Sequence, residues 1–252
     1  YEEAYDLLQR ADEARVAVFG AEHLQTLLGR ARIAANLSNQ TRYDESITIY
    51  RELLPGLEQR LGPQHEEVMV IMNNLAFSQQ LAGDLQASAV LHLEVLERRR
   101  EKYGDMHRAV ADSLQNVGSV LTGINRHEEA VTALNEAAEI YLQVNEPGQP
   151  RNAYPHVSLA IIYADIGPVE KQEHHANRAI ALLEDNVSGA NPALLRSQCL
   201  LGDAQVRQGR LESGISLLQT GVRGLEAQSD IYATHLEACR RALAAATDRR
   251  ET

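Results

Sequence analysis

The apolar positions of this chain recur with a period of 42 residues, as the step from Ile33 to Leu75 shows. The position after each member of this apolar row is always small, and both rows keep their register without an insertion or deletion. Small residues let two packed helices approach closely, because the contact residues set the distance between helix axes. A period of this length is typical of repeat architectures. The apolar row is Ile33, Leu75, Val117, Leu159 and Leu201, and the small row is Ala34, Ala76, Gly118, Ala160 and Gly202.

A third row of residues divides each repeat into two parts. Four of its five members are Gly or Asn, which most readily adopt the left-handed conformation at a helix end. Acidic residues or proline follow, as at the start of a helix, and apolar residues then recur at helical spacing. Each repeat is therefore predicted to hold two antiparallel helices, such as Val68–Leu81 and Leu85–Lys102. This turn row is Thr41, Gly83, Asn125, Gly167 and Gly209.

The order of residue types within a repeat resembles the tetratricopeptide motif, which has Leu-Gly/Ala, a turn Gly, a small residue and two packing positions. Here these positions are Leu75-Ala76, Gly83, Ser88, His92 and Val95. The period of 42 exceeds the family's usual length of roughly 34. With Asn73-Asn74 before Leu75 and a Gly-x-x-His linker, it is similar to the kinesin-light-chain type, which also occurs in bacterial signalling proteins. The linker histidines are His23, His65 and His107, and we expect them to bond the local backbone.

The resemblance covers the whole chain and is strongest over residues 24–150. The family's proline after the linker histidine is absent, since Glu66 and Arg108 stand there. The fourth linker, residues 145–150, has lost both its Gly and its His. The resemblance implies an all-α fold, a right-handed α-α superhelical solenoid of antiparallel helix pairs.

The period also predicts the organisation of the chain. The solenoid is expected over residues 1–232, with a truncated first repeat at 1–23 and full repeats at 24–65, 66–107, 108–149, 150–191 and 192–232. Residues 233–252 are expected to form a capping helix and a basic tail. Because the chain starts without Met and within a repeat, we expect it to be part of a longer protein.

Composition narrows the classes of partner. With 24 basic and 35 acidic residues the net charge is −11, and there is no Trp, which disfavours a nucleic-acid-binding surface. No apolar run approaches the roughly 20 residues that span a bilayer, so no membrane partner is expected. The cysteines, Cys199 and Cys239, are too few for a disulfide framework. We expect them to be small buried side chains in a cytoplasmic, reducing compartment.

Motifs that would indicate catalysis are incomplete. The segment Gly118–Gly123 begins like a phosphate-binding loop, but Ile124 stands where Lys is required. The adjacent carboxylates Glu128 and Glu129 suit a helix N-terminus better than acid–base chemistry. We therefore expect a non-enzymatic chain without a cofactor.

Histidines and arginines also have simpler explanations than a functional site. His174 and His175 are adjacent in a predicted helix and point about 100° apart, so they do not share a metal ion. We expect His175 and His92 to be packed and hydrogen-bonded, and we expect no metal. The basic run Arg98–Arg100 ends a predicted helix, where cations offset the helix dipole.

As the resemblance implies, the first helix of each repeat lines a concave groove. An amide offers both a donor and an acceptor, so Asn and Gln side chains there can bind a peptide main chain without reading its sequence. Phe77 is either a packing partner of Val70 or a binding hot spot. The candidate groove residues are Asn73, Asn74, Phe77, Asp112, Gln115, Asn116, Ser119, Tyr154, Ser158, Ile161 and Arg196.

The sequence thus predicts a non-catalytic scaffold that binds an extended peptide or a partner protein in this groove, over roughly residues 66–191. Chaperone-binding relatives hold a carboxylate with cations, which the matching positions lack, so a chaperone tail is not expected. The alternative is a regulatory region of a larger signalling protein, such as a bacterial serine/threonine kinase or a transcriptional regulator. A third hypothesis is self-association through the solenoid ends. The matching positions are Asn73, Phe77, Asn116, Tyr154 and Ser158.

Overall fold

The computed structural model describes residues 2–228 and 233–251, and these contain helices and connecting segments without a strand. The predicted all-α solenoid class is confirmed. The predicted boundary at residue 232 and the final residue, 252, lie outside the described residues. The helices are α1 (Glu2–Phe19), α2 (Leu24–Asn39), α3 (Tyr43–Leu61), α4 (Glu66–Leu81), α5 (Leu85–Tyr103), α6 (Arg108–Gly123), α7 (His127–Val144), α8 (Tyr154–Ile166), α9 (Val169–Leu183), α10 (Pro192–Arg207), α11 (Leu211–Glu226) and α12 (Ala233–Glu251).

The predicted turn row ends the first helix of each pair. Gly83 and Gly209 have φ angles of 90° and 83°, in the left-handed region that favours glycine. Thr41 and Asn125 occupy the same position with φ of 62° and 60°. Asn tolerates this conformation, whereas β-branched Thr does so at a cost in free energy. The even-numbered helices α2 to α10 are thus first helices, and the helix that follows each is a second helix.

The linker histidines cap the first helices, as predicted. His23, His65 and His107 each accept a hydrogen bond at Nδ1 from the backbone N–H two residues on, at 3.2, 3.2 and 3.1 Å. This satisfies one of the unpaired donors of the first turn. Asn191 takes the same position before α10 and accepts from two backbone N–H groups. The fourth linker, which has no His, leads instead into a 3-10 turn at Pro150–Ala153.

The chain divides into two compact units, residues 1–125 and residues 126–252. In the first unit, α2 to α5 share a hydrophobic core in which the Tyr50, Leu57 and Met69 side chains are almost completely buried. In the second unit, α10 and α11 approach closely. A Cβ atom added to Gly202 would lie 2.8 Å from the carbonyl oxygen of Gly214, so both small positions are required by packing.

The prediction that the cysteines are unpaired was wrong. Cys199 of α10 and Cys239 of α12 form a disulfide, with their Cα atoms 5.6 Å apart. Both side chains are buried, as expected, but α12 packs on α10 and α11 and brings the two residues within bonding range. The inference of a reducing compartment from these cysteines therefore loses its basis.

Candidate functional site

In the first compact unit, the candidate residues lie on the first helices α4 and α6. Phe77 is 52% exposed, and Val70, one turn before Asn73 and Asn74, is 37% exposed. Phe77 is therefore not a core residue, which leaves its side chain available to a ligand. Ser119 is exposed and accepts a hydrogen bond from Gln80 Nε2 at 3.4 Å.

Two of the predicted amides bond to each other. Asn116 Nδ2 of α6 donates to Asn73 Oδ1 of α4 at 2.8 Å, and both side chains are partly exposed. Because each carboxamide has two donor hydrogens and one acceptor oxygen, the pair still offers the Asn73 NH₂ group and the Asn116 oxygen. One donor and one acceptor side by side are the complement of a peptide group.

Asp112 and Gln115 of this face have partners within the protein, and Asn74 faces a buried tyrosine. Asn74 lies beside the Tyr50 hydroxyl: burial raises the pKa of Tyr50 to about 12, and Asn74 opposes that rise. Asp112 and Gln115 each interact with other groups of the protein. The structure therefore brings all these residues to one pair of helices, and a hydrogen bond across that pair holds the Asn73 and Asn116 carboxamides in place.

In the second compact unit, the candidates lie on α8 and α10. Tyr154 is 40% exposed, and Ser158 and Ile161 are partly exposed. Ile161 and Arg196 also line a cavity of about 460 Å³ between α8, α10 and α12. The predicted groove over residues 66–191 includes residues of both compact units, and its continuity stays a prediction.

The sequence did not reveal that α12 contributes residues to this cavity. His235, Ala238 and Arg241 form its third wall. The 42-residue period indicates this contribution, since Arg241 lies 42 residues after Cys199, which belongs to the first helix α10. The helix predicted after residue 232 thus stands where a further first helix would stand, although it was expected to act as a cap.

Burial shapes the electrostatics of the cavity. It lowers the pKa of Arg196 to about 10. Burial also lowers the pKa of His235 to about 4, and the positive charge of Arg196 adds to the effect. At neutral pH, His235 is therefore neutral and Arg196 supplies the positive charge.

The remaining candidate chemistry is structural. His175 Nδ1 lies 3.1 Å from His156 Nδ1, so His175 is packed and hydrogen-bonded as expected. His92 is buried, but its Nδ1 has no hydrogen-bond partner, so it is packed without being fully hydrogen-bonded. Over the described residues, no three side chains of the His, Cys, Asp or Glu type are grouped so that they could hold a metal ion.

The basic run at the end of α5 is neutralised by neighbouring acids. Arg98 pairs with Glu58 at 2.7 Å and with Glu94 at 2.6 Å. Arg99 is buried and donates to Ser113 at 2.9 Å. These contacts leave little free positive charge for a phosphate backbone. Among the helices that the structure describes, none is both long and apolar enough to cross a membrane.

The sequence and the fold were compared with known proteins. A model of the tetratricopeptide repeat family matches residues 67–143. No curated protein matches the sequence. Among solved structures, BtubC (BKLC) from P. vanneervenii is similar, with a TM-score of 0.76 and 17% identity, over 90% of this chain and 91% of that chain.

Two further structures are similar in fold. One contains the nearly identical TPR-like repeats of a kinesin-light-chain-like protein from Podosopora anserina, with a TM-score of 0.67 and 18% identity, over 82% of this chain and 98% of that one. The other is the apo form of the quorum sensor NprR from B. thuringiensis, with a TM-score of 0.71 and 14% identity, over 94% of this chain and 62% of that one. The chain therefore contains tetratricopeptide repeats, identified in its sequence over residues 67–143, and its fold is that of tetratricopeptide-repeat proteins such as these.

Proposed function

We propose that the chain is a non-catalytic scaffold that binds an extended peptide, or an extended segment of a partner protein, on the first helices of its repeats. The observation that carries the proposal is the Asn73–Asn116 pair, which presents a donor and an acceptor next to the exposed Phe77 ring. Amides bind the main chain of a peptide, and an exposed aromatic ring supplies an apolar contact. A complex of NprR with its cognate peptide NprX shows that a protein of similar fold binds a peptide, which supports the proposal.

A peptide selection tests this proposal directly, because it samples many ligand sequences at once. Random decapeptides displayed on phage would be selected on the chain, and the bound sequences synthesised and titrated. Replacing Asn73, Phe77 and Asn116 by Ala should weaken binding by about tenfold or more, because hot-spot truncations cost about 2 kcal/mol or more. The matched control is Val90→Ala on α5, whose side chain is 65% exposed. Equal binding by the triple variant and the parent chain would reject the proposal.

The second candidate is a regulatory region of a larger signalling protein. The chain matches about 62% of the length of the quorum sensor NprR, so a protein of this fold has further segments beyond the matched region. The test is the full reading frame of the gene. A Gly-rich loop and a His-Arg-Asp motif upstream would support a kinase, and their absence would remove that version of the candidate.

Self-association through α1 is the third candidate. This helix has no buried residue and exposes Leu7, Val18 and Phe19. Exposed apolar side chains on one face of a helix favour contact with another copy. Light scattering should then show a mass that rises with concentration, and Phe19→Ser should abolish that rise. A constant monomer mass would exclude this role.

A further inference from the structure

We propose that the second compact unit binds a carboxylate group at Arg196, in the cavity between α8, α10 and α12. This inference rests on the proposed function, since the carboxylate would belong to a peptide ligand of the second unit. It deepens that function by naming the chemical group that the second unit recognises.

The cavity has defined walls. Ile161 of α8 and Leu200 of α10 provide apolar lining, and Ala238 of α12 completes it. The disulfide between Cys199 and Cys239, two further lining residues, holds α12 against α10. A volume of about 460 Å³ lies within the range of roughly 300–1,000 Å³ that is common for binding sites.

Arg196 has no acidic partner among the described residues, whereas other half-buried arginines of the chain do. Arg30 pairs with Asp12 at 3.2 Å and Arg210 with Glu173 at 2.6 Å. A guanidinium that is shielded from water without an anion loses hydration free energy, which a bound carboxylate would offset by charge-assisted hydrogen bonds. The low pKa of Arg196, about 10, has burial as its cause and agrees with this absence.

The other charged groups favour a carboxylate over a phosphate. Asp203 already accepts from Gln172 at 2.8 Å and lies 3.9 Å from Arg207. Asp165 is exposed at the edge of the cavity, and Arg241 is exposed on α12. The two aspartates repel a doubly charged phosphate about twice as strongly as a singly charged carboxylate, and one carboxylate needs only one guanidinium, that of Arg196.

The Arg196 cavity lies elsewhere than the residues that match the carboxylate-binding residues of chaperone-binding relatives. Those residues lie on α4, α6 and α8, whereas Arg196 lies on α10 and its cavity is completed by α12. The ligand that fits this cavity carries one carboxylate for Arg196 and apolar groups beside it for the apolar lining. The carboxylate belongs either to an acidic side chain or to a chain terminus.

Titration of the ¹⁵N-labelled chain with small probes tests the proposal. The probes are N-acetyl-glutamate α-amide for a side-chain carboxylate, N-acetyl-alanine for a terminal carboxylate and N-acetyl-glutamine amide as the neutral control, all at constant ionic strength. We expect a saturable shift of the Arg196 Nε–H resonance with at least one carboxylate, at an affinity about tenfold or more above that of the neutral probe. The carboxylate that binds more tightly identifies the source.

Variants separate this inference from the proposed function. Arg196→Gln should abolish the carboxylate-dependent shifts of the Leu200 and Ala238 amides, and Arg223→Gln, at an exposed position of α11, should preserve them. Ala at Asn73 and Asn116 in the first unit should leave the titration unchanged. Absence of a saturable shift, or equal shifts with the neutral probe, would overturn the carboxylate subsite even if selected peptides bind through Asn73 and Asn116.

Discussion

Asn116 and Asn73 lie one repeat and one residue apart in the sequence, and their side chains are joined by a hydrogen bond of 2.8 Å. The bond connects the first helices of two successive repeats, α4 and α6, at a partly exposed position. It fixes the orientation of both carboxamides before any ligand arrives. A ligand that binds them therefore loses less conformational entropy of the protein, which is the advantage of a preorganised site.

The close approach of α10 and α11 makes a strong prediction about Gly202. A methyl group there would lie 2.8 Å from the Gly214 carbonyl oxygen and 2.9 Å from Leu218 Cγ, so Gly202→Ala should lower the free energy of unfolding by about 1–3 kcal/mol. Gly189→Ala is the control, because no atom lies within 4 Å of the added methyl group. Urea denaturation of both variants measures the difference. A denaturation midpoint of Gly202→Ala equal to that of the parent chain would contradict the close approach of α10 and α11.

The turn at Thr41 predicts a substitution that stabilises the chain. Thr41 has a φ of 62°, and replacing it by Gly removes the steric cost of that conformation, so the free energy of unfolding should rise by about 1 kcal/mol. The same exchange at Thr48, an exposed position within α3, should lower it by about 0.3–0.5 kcal/mol. Thermal melts of both variants provide the test, and a loss of stability for Thr41→Gly would contradict the turn geometry.

The Cys199–Cys239 disulfide closes a loop with a sequence separation of 40 residues. Such a bond should stabilise the chain by about 2–4 kcal/mol, chiefly by restricting the unfolded state. A reducing agent should therefore lower the denaturation midpoint of the parent chain. The double variant with Ala at both positions should melt at the reduced midpoint and be insensitive to the reducing agent. Identical melts of the parent chain with and without reductant would show that the bond does not form.

Buried histidines predict a loss of stability in mild acid. His92 is 2% exposed, and burial lowers its pKa to about 4, with a further contribution from the charge of Arg99. His92 is neutral in the folded chain, whereas the unfolded chain binds a proton at about pH 6.5, so stability is complete above that pH and falls toward pH 4. The expected loss is about 1–3 kcal/mol for this residue.

A variant isolates the contribution of His92 from those of His156, His175 and His235, whose pKa values are also lowered to about 4. His92→Gln cannot take up a proton, so its stability should decline less than that of the parent chain between pH 6.5 and 4. Denaturant titrations at several pH values measure how the free energy of unfolding changes with pH in the parent chain and in the variant. An equal pH dependence of the unfolding free energy in both chains would mean that the pKa of His92 is not lowered in the folded state.

The repeat pattern predicts most of the fold because helix ends and packing faces depend on residues that are close in sequence. The predicted helix Val68–Leu81 is observed as Glu66–Leu81, and the turn row has the expected backbone conformation. The histidine caps were also predictable, since each His bonds a backbone group only two residues away.

Contacts between distant residues were not predictable in the same way. The Cys199–Cys239 bond depends on how α12 packs against α10, and the burial of Arg196 depends on three helices together. The mutual bond of Asn73 and Asn116 also depends on the rotation of α4 relative to α6. Residue types identified these positions, but only the packed helices show which polar groups remain available.

We propose that the Asn73–Asn116 pair binds a peptide main chain. The most direct measurement is the affinity of a selected decapeptide for the parent chain and for the chain with Ala at both positions, by isothermal titration calorimetry. We predict a loss of about tenfold or more for the double variant, with unchanged helicity and no loss for Val90→Ala. An unchanged affinity in the folded double variant would contradict the claim.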